Sequence, residues 1–94
     1  MKKPIQAEFR IEGLVQGVGF RYFVYRYALQ FGLKGFVRNE YDGSVFVLVE
    51  GDEELINEFH KILKIGPSHS YVEKIKVKYS DFSGKFSNFD IVFS

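Results

Sequence analysis

The sequence predicts a small α+β domain in which two helices cover one face of a mainly antiparallel sheet. Two observations support this prediction. Five short runs alternate apolar and polar residues, as half-buried strands do, and two longer runs repeat apolar residues every three or four positions, as amphipathic helices do. In chain order these runs are strand, helix, strand, strand, helix, strand and a short last strand. A chain of 94 residues with 46% hydrophobic content suits one domain, spanning 1–94, with a single core.

The first strand is predicted at residues 5–13, where Phe9 and Ile11 alternate with charged residues. A helix is predicted from Phe20 to Phe31, and Gly32 ends it because glycine accepts the left-handed conformation that follows many helices. The expected buried stripe of this helix consists of Phe20, Val24, Tyr27, Ala28 and Phe31. Three other side chains of the helix are expected to face water: Tyr22, Arg26 and Gln30.

The second and third strands, Lys34–Glu40 and Ser44–Glu50, form a predicted hairpin. The Asp42-Gly43 pair between two alternating runs is typical of a tight turn. On the third strand, Phe46 and Leu48 are expected to point beside Glu50 to the face of the sheet without helices. Exposed apolar residues there are either harmless or a weak self-association patch.

The second helix begins at Asp52, whose side chain suits the N-cap position, and ends at Gly66-Pro67. Its apolar residues recur at helical spacing: Leu55, Ile56, Phe59, Ile62 and Leu63. A strand at 72–79 follows, with Ile75, Val77 and Tyr79 predicted inward and Lys74, Lys76 and Lys78 outward. The last strand places Phe89, Ile91 and Phe93 on one face.

This order of elements is that of a ferredoxin-like α/β sandwich, βαββαβ plus a short terminal strand. Residues 14–33 are long enough to be the crossover that two parallel strands require. Parallel strands end at the same edge of a sheet. We therefore expect the loop after the first strand and Asn39, near the end of the second, to lie together.

That loop, Gly13–Arg21, predicts an anion site. Gly17 and Gly19 permit positive φ, so backbone N–H groups can point into one concavity. The predicted donors are the N–H groups of Gln16, Gly17, Val18, Gly19, Phe20 and Arg21, with the Arg21 guanidinium beside them. Side chains of Gln16 and Val18 are expected to make only packing or minor polar contacts, and that of Phe20 to join the core.

Composition excludes several other functions. With 13 Lys and Arg against 12 Asp and Glu, the chain lacks the charge of a general nucleic-acid or membrane binder. There is no cysteine for thiol chemistry, and His60 and His69, expected to be solvated, lack a third ligand spaced for zinc. We expect no metal, no cofactor, no nucleic acid, no membrane association and a cytoplasmic location.

Two sequence segments resemble the signatures of the acylphosphatase family. The first is Gly13–Arg21, and the second is Gly35–Asn39, followed along the chain by Gly43-Ser44-Val45 and Gly51. The resemblance implies metal-free hydrolysis of small acyl phosphates to a carboxylate and phosphate. It assigns catalytic roles to Arg21, which binds phosphate, and to Asn39, which positions the attacking water. The substrate's own phosphate takes the proton of that water in this family. A monomer is expected, with weak self-association as the alternative.

Three alternatives remain at this stage. An RNA-binding module has the same element order, but the first strand presents Glu8, Arg10 and Glu12 where such modules carry aromatic residues. A non-catalytic anion-binding or regulatory ferredoxin-like domain would use the same loop only for recognition. The third is an acylphosphatase-like domain of a larger carbamoyl-transfer protein, against which the methionine start and compact end favour a free enzyme.

Overall fold

The computed structural model describes residues 3–93, which form five strands and two helices. In chain order these are β1 (Pro4–Leu14), α1 (Phe20–Gln30), β2 (Lys34–Asn39), β3 (Val45–Asp52), α2 (Glu53–Ile65), β4 (Tyr71–Asp81) and β5 (Phe89–Val92). The predicted order, including the short last strand, is confirmed. Neither described helix has the length and apolar character needed to cross a bilayer.

The strands form one sheet in the order β4-β1-β3-β2-β5. β1 pairs with β3 and β4, and β2 pairs with β3, all antiparallel, whereas β5 lies parallel to β2. The predicted mainly antiparallel ferredoxin-like sandwich is therefore correct. β1 and β2 both run opposite to β3, so they run parallel to each other and end at the same edge of the sheet.

Both helices pack on one face of the sheet and share its core. The core combines alternate residues of the central strands with one side of each helix: Ala7, Phe9, Ile11, Val37, Val45, Val47 and Val49 with Phe20, Val24, Ala28, Ile56, Phe59 and Leu63. Phe9 and Phe59 meet edge to face, with ring centroids 6.1 Å apart. Tyr27 and Phe31, predicted within the buried stripe, are half-buried at its margin.

The end of α1 brings the chain back to the sheet as the sequence predicts. Gly32 has a φ of 67°. Its N–H donates to the carbonyl of Leu29, and the N–H of Leu33 donates to that of Ala28. This pair of bonds is a Schellman motif, in which glycine occupies the left-handed position. It directs the chain into the start of β2.

Strand β4 is less buried than its alternation predicts. Val77 lies opposite the buried Phe9 and so faces the helices, but it is 37% exposed and Tyr79 is 50% exposed. The reason is the position of β4 at the edge of the sheet, where the two helices cover its inner face only in part.

The expectation that Glu50 lies on an open face is wrong, because Glu50 is 1% exposed. The segment before β5 folds over it. Its carboxylate accepts hydrogen bonds from Gln6 Nε2 at 2.6 Å, from the N–H and hydroxyl of Ser83 at 2.8 and 2.7 Å, and from the N–H of Gly84 at 3.0 Å. Phe86 of the same segment lies 6.1 Å from the ring of Phe36. The face without helices is therefore partly covered.

Candidate active site

The loop between β1 and α1 begins at an irregularity in the sheet. The register of β1 with β4 shifts between Glu12 and Gly13, and Gly13 has a φ of 132°. A Cβ atom at Gly13 would lie 2.1 Å from the carbonyl oxygen of Tyr71, so only glycine fits here. Gly17 and Gly19 follow with φ of 75° and 78°. These left-handed positions cost a residue with a side chain roughly 1–2 kcal/mol, which explains the glycines of the motif.

The backbone N–H groups of this loop are free to bind a ligand. Among the described residues, the N–H groups of residues 16–22 donate to no protein acceptor, and the first bond of α1 runs from the Phe23 N–H to the Gly19 carbonyl at 3.0 Å. Gly19 caps α1 without a side-chain hydrogen bond, and the first turn carries no acidic residue. Unpaired N–H groups at the positive end of a helix attract anions.

The N-terminus of α2 differs from that of α1 because side chains of the protein cap it. The Asp52 side chain caps α2 by accepting from the Glu54 N–H at 3.1 Å, and Glu53 and Glu54 stand in the first turn. Helix α2 therefore supplies its own negative charge, as the sequence predicts. Helix α1 leaves that place for a ligand.

Gln16 has a side-chain role that the sequence reasoning missed. Its Nε2 donates to the carbonyl oxygens of Glu40 and Ser44, at 2.8 and 2.9 Å, and so ties the loop to the turn between β2 and β3. That turn follows Asn39 directly. The partners lie 24 and 28 residues away along the chain, so no local pattern signals this contact.

Ionic and polar contacts hold the same turn against β1. Arg10 Nη1 donates to Ser44 Oγ at 3.0 Å and to Asp42 Oδ2 at 3.3 Å, and Arg10 lies 3.6 Å from the Glu40 carboxylate. Asp42 Oδ1 accepts from the hydroxyl and N–H of Ser44 at 2.6 and 3.0 Å. These two bonds from Ser44, followed by the nearby charge of Arg10, lower the pKa of Asp42. These contacts join the turn that follows Asn39 to β1.

Arg21 and Asn39 line the same two cavities, as the crossover argument predicts. The first cavity, of about 250 Å³, is lined by Gly17, Gly19, Phe20, Arg21 and Asn39 together with Val15, Tyr22, Ile91 and Phe93. The second, of about 640 Å³, is lined by Gln16, Arg21, Arg38, Asn39, Glu40 and Tyr41. Both Arg21 and Asn39 are half-buried. Arg21 is the one charged residue in the described lining of the first cavity, so that cavity suits an anion.

The remaining residues of the predicted site divide between backbone and core. The Phe20 side chain is 2% exposed and belongs to the core, as predicted, so only its backbone can serve a ligand. Val18 is half-buried and packs against the core. Val18, its backbone included, is absent from the described lining of both cavities, and Gln16 lines only the second.

Both histidines lie away from this site, but His60 is not a solvated residue. Its ring packs 5.0 Å from that of Phe9. Burial, and then the nearby charge of Lys64, lower the pKa of His60. His69 is an exposed loop residue with a φ of 73°. In residues 3–93, no three His, Asp or Glu side chains come together as ligands of a metal ion would.

Comparison with known proteins assigns the family. The family model for acylphosphatases matches residues 7–91. The acylphosphatase of Pseudothermotoga lettingae is 49% identical over 90 residues, which cover 94% of this chain and 99% of the relative. The crystal structure of acylphosphatase from Bacillus subtilis superposes with a TM-score of 0.91 at 40% identity, over 94% of this chain and 98% of that one.

A larger protein contains a similar domain. The crystal structure of full-length HypF in the phosphate- and nucleotide-bound form matches with a TM-score of 0.88 at 35% identity. The match covers 96% of this chain and 12% of HypF. The family model covers most of the chain, and relatives of similar length share its sequence and its fold. The chain therefore belongs to the acylphosphatase family, whose function is the hydrolysis of acyl phosphates.

Proposed function

We propose that this chain hydrolyses acyl phosphates, which are acid anhydrides, at the cavity between the 16–21 loop and the end of β2. The observation that supports this most directly is that Arg21, Asn39 and the loop with unpaired N–H groups line one cavity. The products are a carboxylate and inorganic phosphate. No metal or cofactor takes part in the proposed reaction.

The phosphate group is bound by the backbone N–H groups of residues 16–21 and by the Arg21 guanidinium. The planar fork of arginine binds phosphate oxygens in pairs. The backbone N–H dipoles add positive potential although they carry no net charge. Such preorganised donors stabilise the negative charge that the phosphate oxygens carry in the transition state.

Asn39 positions the water that attacks the phosphorus atom. Its amide oxygen accepts a hydrogen bond from that water, but an amide cannot remove a proton near neutral pH. The substrate's own phosphate takes the proton, as the family resemblance implies. The bond from phosphorus to the bridging oxygen breaks, and the carboxylate leaves without needing a proton because it is a stable anion. Positioning and charge stabilisation therefore suffice.

Hydrolysis of benzoyl phosphate by Arg21 variants tests the phosphate-binding role. Arg21→Ala should lower kcat/KM by roughly 10²–10³, the loss typical of one charge-stabilising donor. Arg21→Lys should recover little, because one ammonium does not reproduce the fork. Lys64→Ala is the control. Lys64 is an exposed cation on α2 and is absent from the described lining of both cavities, so its loss should leave turnover within about twofold.

The role of Asn39 is tested by separating turnover from anion binding. Asn39→Ala should lower kcat strongly and leave the inhibition constant of inorganic phosphate nearly unchanged. The exposed Asn57 on α2 provides the control substitution Asn57→Ala. Equal losses in kcat and in phosphate binding would make Asn39 an anion ligand. A wild-type protein that binds phosphate and hydrolyses no acyl phosphate would be the non-catalytic anion-binding domain.

The monomeric state and the cytoplasmic location expected from the sequence belong to this proposal. Sedimentation velocity tests the first: a protein of 10.9 kDa should sediment as one species of that mass. Fractionation of the source cells tests the second, since the protein should accompany cytoplasmic enzymes.

A further inference from the structure

The first cavity has a wall that the phosphate and the water do not use. Beyond the loop, Arg21 and Asn39, its lining consists of Val15, Tyr22, Ile91 and Phe93. Tyr22 is 59% exposed and Phe93 is 74% exposed, so two large aromatic side chains face solvent at the mouth of this cavity. Exposed aromatic surface beside a polar anchor is what a ligand with an apolar part buries on binding.

Each ring has a contact within the protein in the absence of a ligand. The Arg21 guanidinium carbon lies 4.7 Å from the centroid of the Phe93 ring, a cation–π contact. The Tyr22 ring stacks on that of Tyr25 at 6.3 Å, with 27° between the ring planes. A ring that already has such a contact has less conformational entropy to lose when a ligand packs on it.

The contact between Arg21 and Phe93 places this wall next to the phosphate. In an acyl phosphate, one bridging oxygen separates the phosphorus atom from the acyl carbon. A substrate whose phosphate is bound by Arg21 must therefore carry its acyl group within a few ångströms of the guanidinium, which is where the Phe93 ring lies.

The second cavity suits an acyl group less well. Arg38 lines it, but Arg38 Nε donates to Glu40 Oε2 at 2.9 Å, and the guanidinium stacks 4.8 Å from the ring of Phe46. Arg38 is thus already neutralised. Glu40 also lines this cavity and is paired with both Arg38 and Arg10, so Arg38 adds little net attraction for an acyl group that carries a second carboxylate.

We propose that Tyr22, Ile91 and Phe93 form an acyl-group subsite that favours aromatic and bulky aliphatic acyl phosphates over acetyl phosphate and over acyl phosphates with a second carboxylate. This inference rests on the proposed function, because it assigns the substrate class of the same site. Phe93 is its principal residue, since its ring touches the phosphate-binding guanidinium and remains open to solvent.

Competitive inhibitors test the subsite without relying on the reactivity of each substrate. Phenacylphosphonate and acetonylphosphonate are analogues of benzoyl and acetyl phosphate in which a methylene replaces the bridging oxygen. The wild type should bind the phenacyl compound about tenfold more tightly, near the upper value of one aromatic contact. In Phe93→Ala this preference should fall to about twofold, and Phe93→Leu should retain part of it, because leucine keeps an apolar wall.

Phe82→Ala is the matched control. Phe82 is another exposed phenylalanine, 43% accessible, and is absent from the described lining of both cavities. Its removal should leave the ratio of the two inhibition constants unchanged.

Three outcomes would overturn the subsite. If Phe93→Ala weakened the binding of both inhibitors equally, the ring would only position Arg21. An unchanged ratio would mean that the acyl group lies elsewhere. Tighter binding of 3-carboxy-2-oxopropylphosphonate than of the phenacyl compound would favour the second cavity. Hydrolysis of benzoyl phosphate by the wild type is measured alongside: if it persists, only the subsite fails, and if it is absent, the proposed function fails as well.

Discussion

Replacing Gln16 with alanine should loosen the active site while leaving the fold intact. The substitution removes two hydrogen bonds from a half-buried carboxamide to the carbonyls of Glu40 and Ser44. Both carbonyls keep another donor, because the Gly43 N–H donates to Glu40 and the Glu40 N–H donates to Ser44. No buried acceptor is therefore left without a partner. The expected cost is the net value of two neutral bonds, about 1–2 kcal/mol in the free energy of unfolding.

The effect on catalysis should exceed what this loss of stability implies. Gln16 joins the phosphate-binding loop to the turn that follows Asn39. Without its side chain, the loop and Asn39 lose a direct link, although both must contact the same substrate. Misplacement by about 1 Å can cost roughly 10²-fold in rate. We expect kcat for benzoyl phosphate to fall about tenfold or more in protein that remains fully folded.

Urea unfolding followed by circular dichroism, together with steady-state hydrolysis, measures both effects. Gln16→Glu should lower the free energy of unfolding and kcat more than Gln16→Ala does, because a carboxylate would face two carbonyl oxygens. Gln30→Ala, at an exposed position of α1, is the control and should change unfolding by less than about 0.5 kcal/mol. If Gln16→Ala kept wild-type unfolding and a kcat within twofold, the tie between loop and turn would have no part in organising the site.

Other predictions concern the supporting structure and the absence of a metal. Burial alone would raise the pKa of Glu50, but its hydrogen bonds from Ser83, Gln6 and Gly84 outweigh burial and lower it below the usual 4.5. The stability that Glu50 provides is therefore complete at neutral pH and is lost as the pH falls from about 4.5 through the lower folded-state pKa. In Glu50→Ala, the free energy of unfolding should change less with pH over this range. Gly35→Ala should lower the free energy of unfolding in urea by about 3 kcal/mol or more, because its Cβ would lie 1.9 Å from the Leu48 carbonyl oxygen. Gly43→Ala is the control: its Cβ meets no atom within 4 Å, so it should cost only about 1–2 kcal/mol. EDTA dialysis should leave hydrolysis of benzoyl phosphate unchanged, and a loss restored by one divalent cation would contradict the metal-free site.

Local patterns were sufficient to predict the elements and the meeting of the two motifs. Gly32 and the Asp42-Gly43 turn mark ends that depend on neighbouring residues alone, and the structure places a Schellman motif and a hairpin there. The crossover from β1 to β2 then brings Asn39 to the glycine loop, because strands of the same direction end at one edge. The family resemblance supplied the roles of Arg21 and Asn39, which spacing alone leaves open.

The errors arise where burial depends on distant parts of the chain. Alternation predicts the face on which Val77 and Tyr79 lie, but not that an edge strand leaves that face half uncovered. Glu50 reads as a solvent-facing carboxylate, yet Ser83 and its neighbours fold over it from 33 residues away. The contacts of the Gln16 side chain and of Phe93 with Arg21 join segments with no local signal between them.

A crystal structure of the protein with inorganic phosphate tests the central claim most directly. We predict phosphate in the cavity of about 250 Å³, beside Asn39. Its oxygens should accept hydrogen bonds from N–H groups of the 16–21 loop and from the guanidinium of Arg21. Phosphate bound elsewhere on the chain, or bound here without the loop N–H groups, would contradict it.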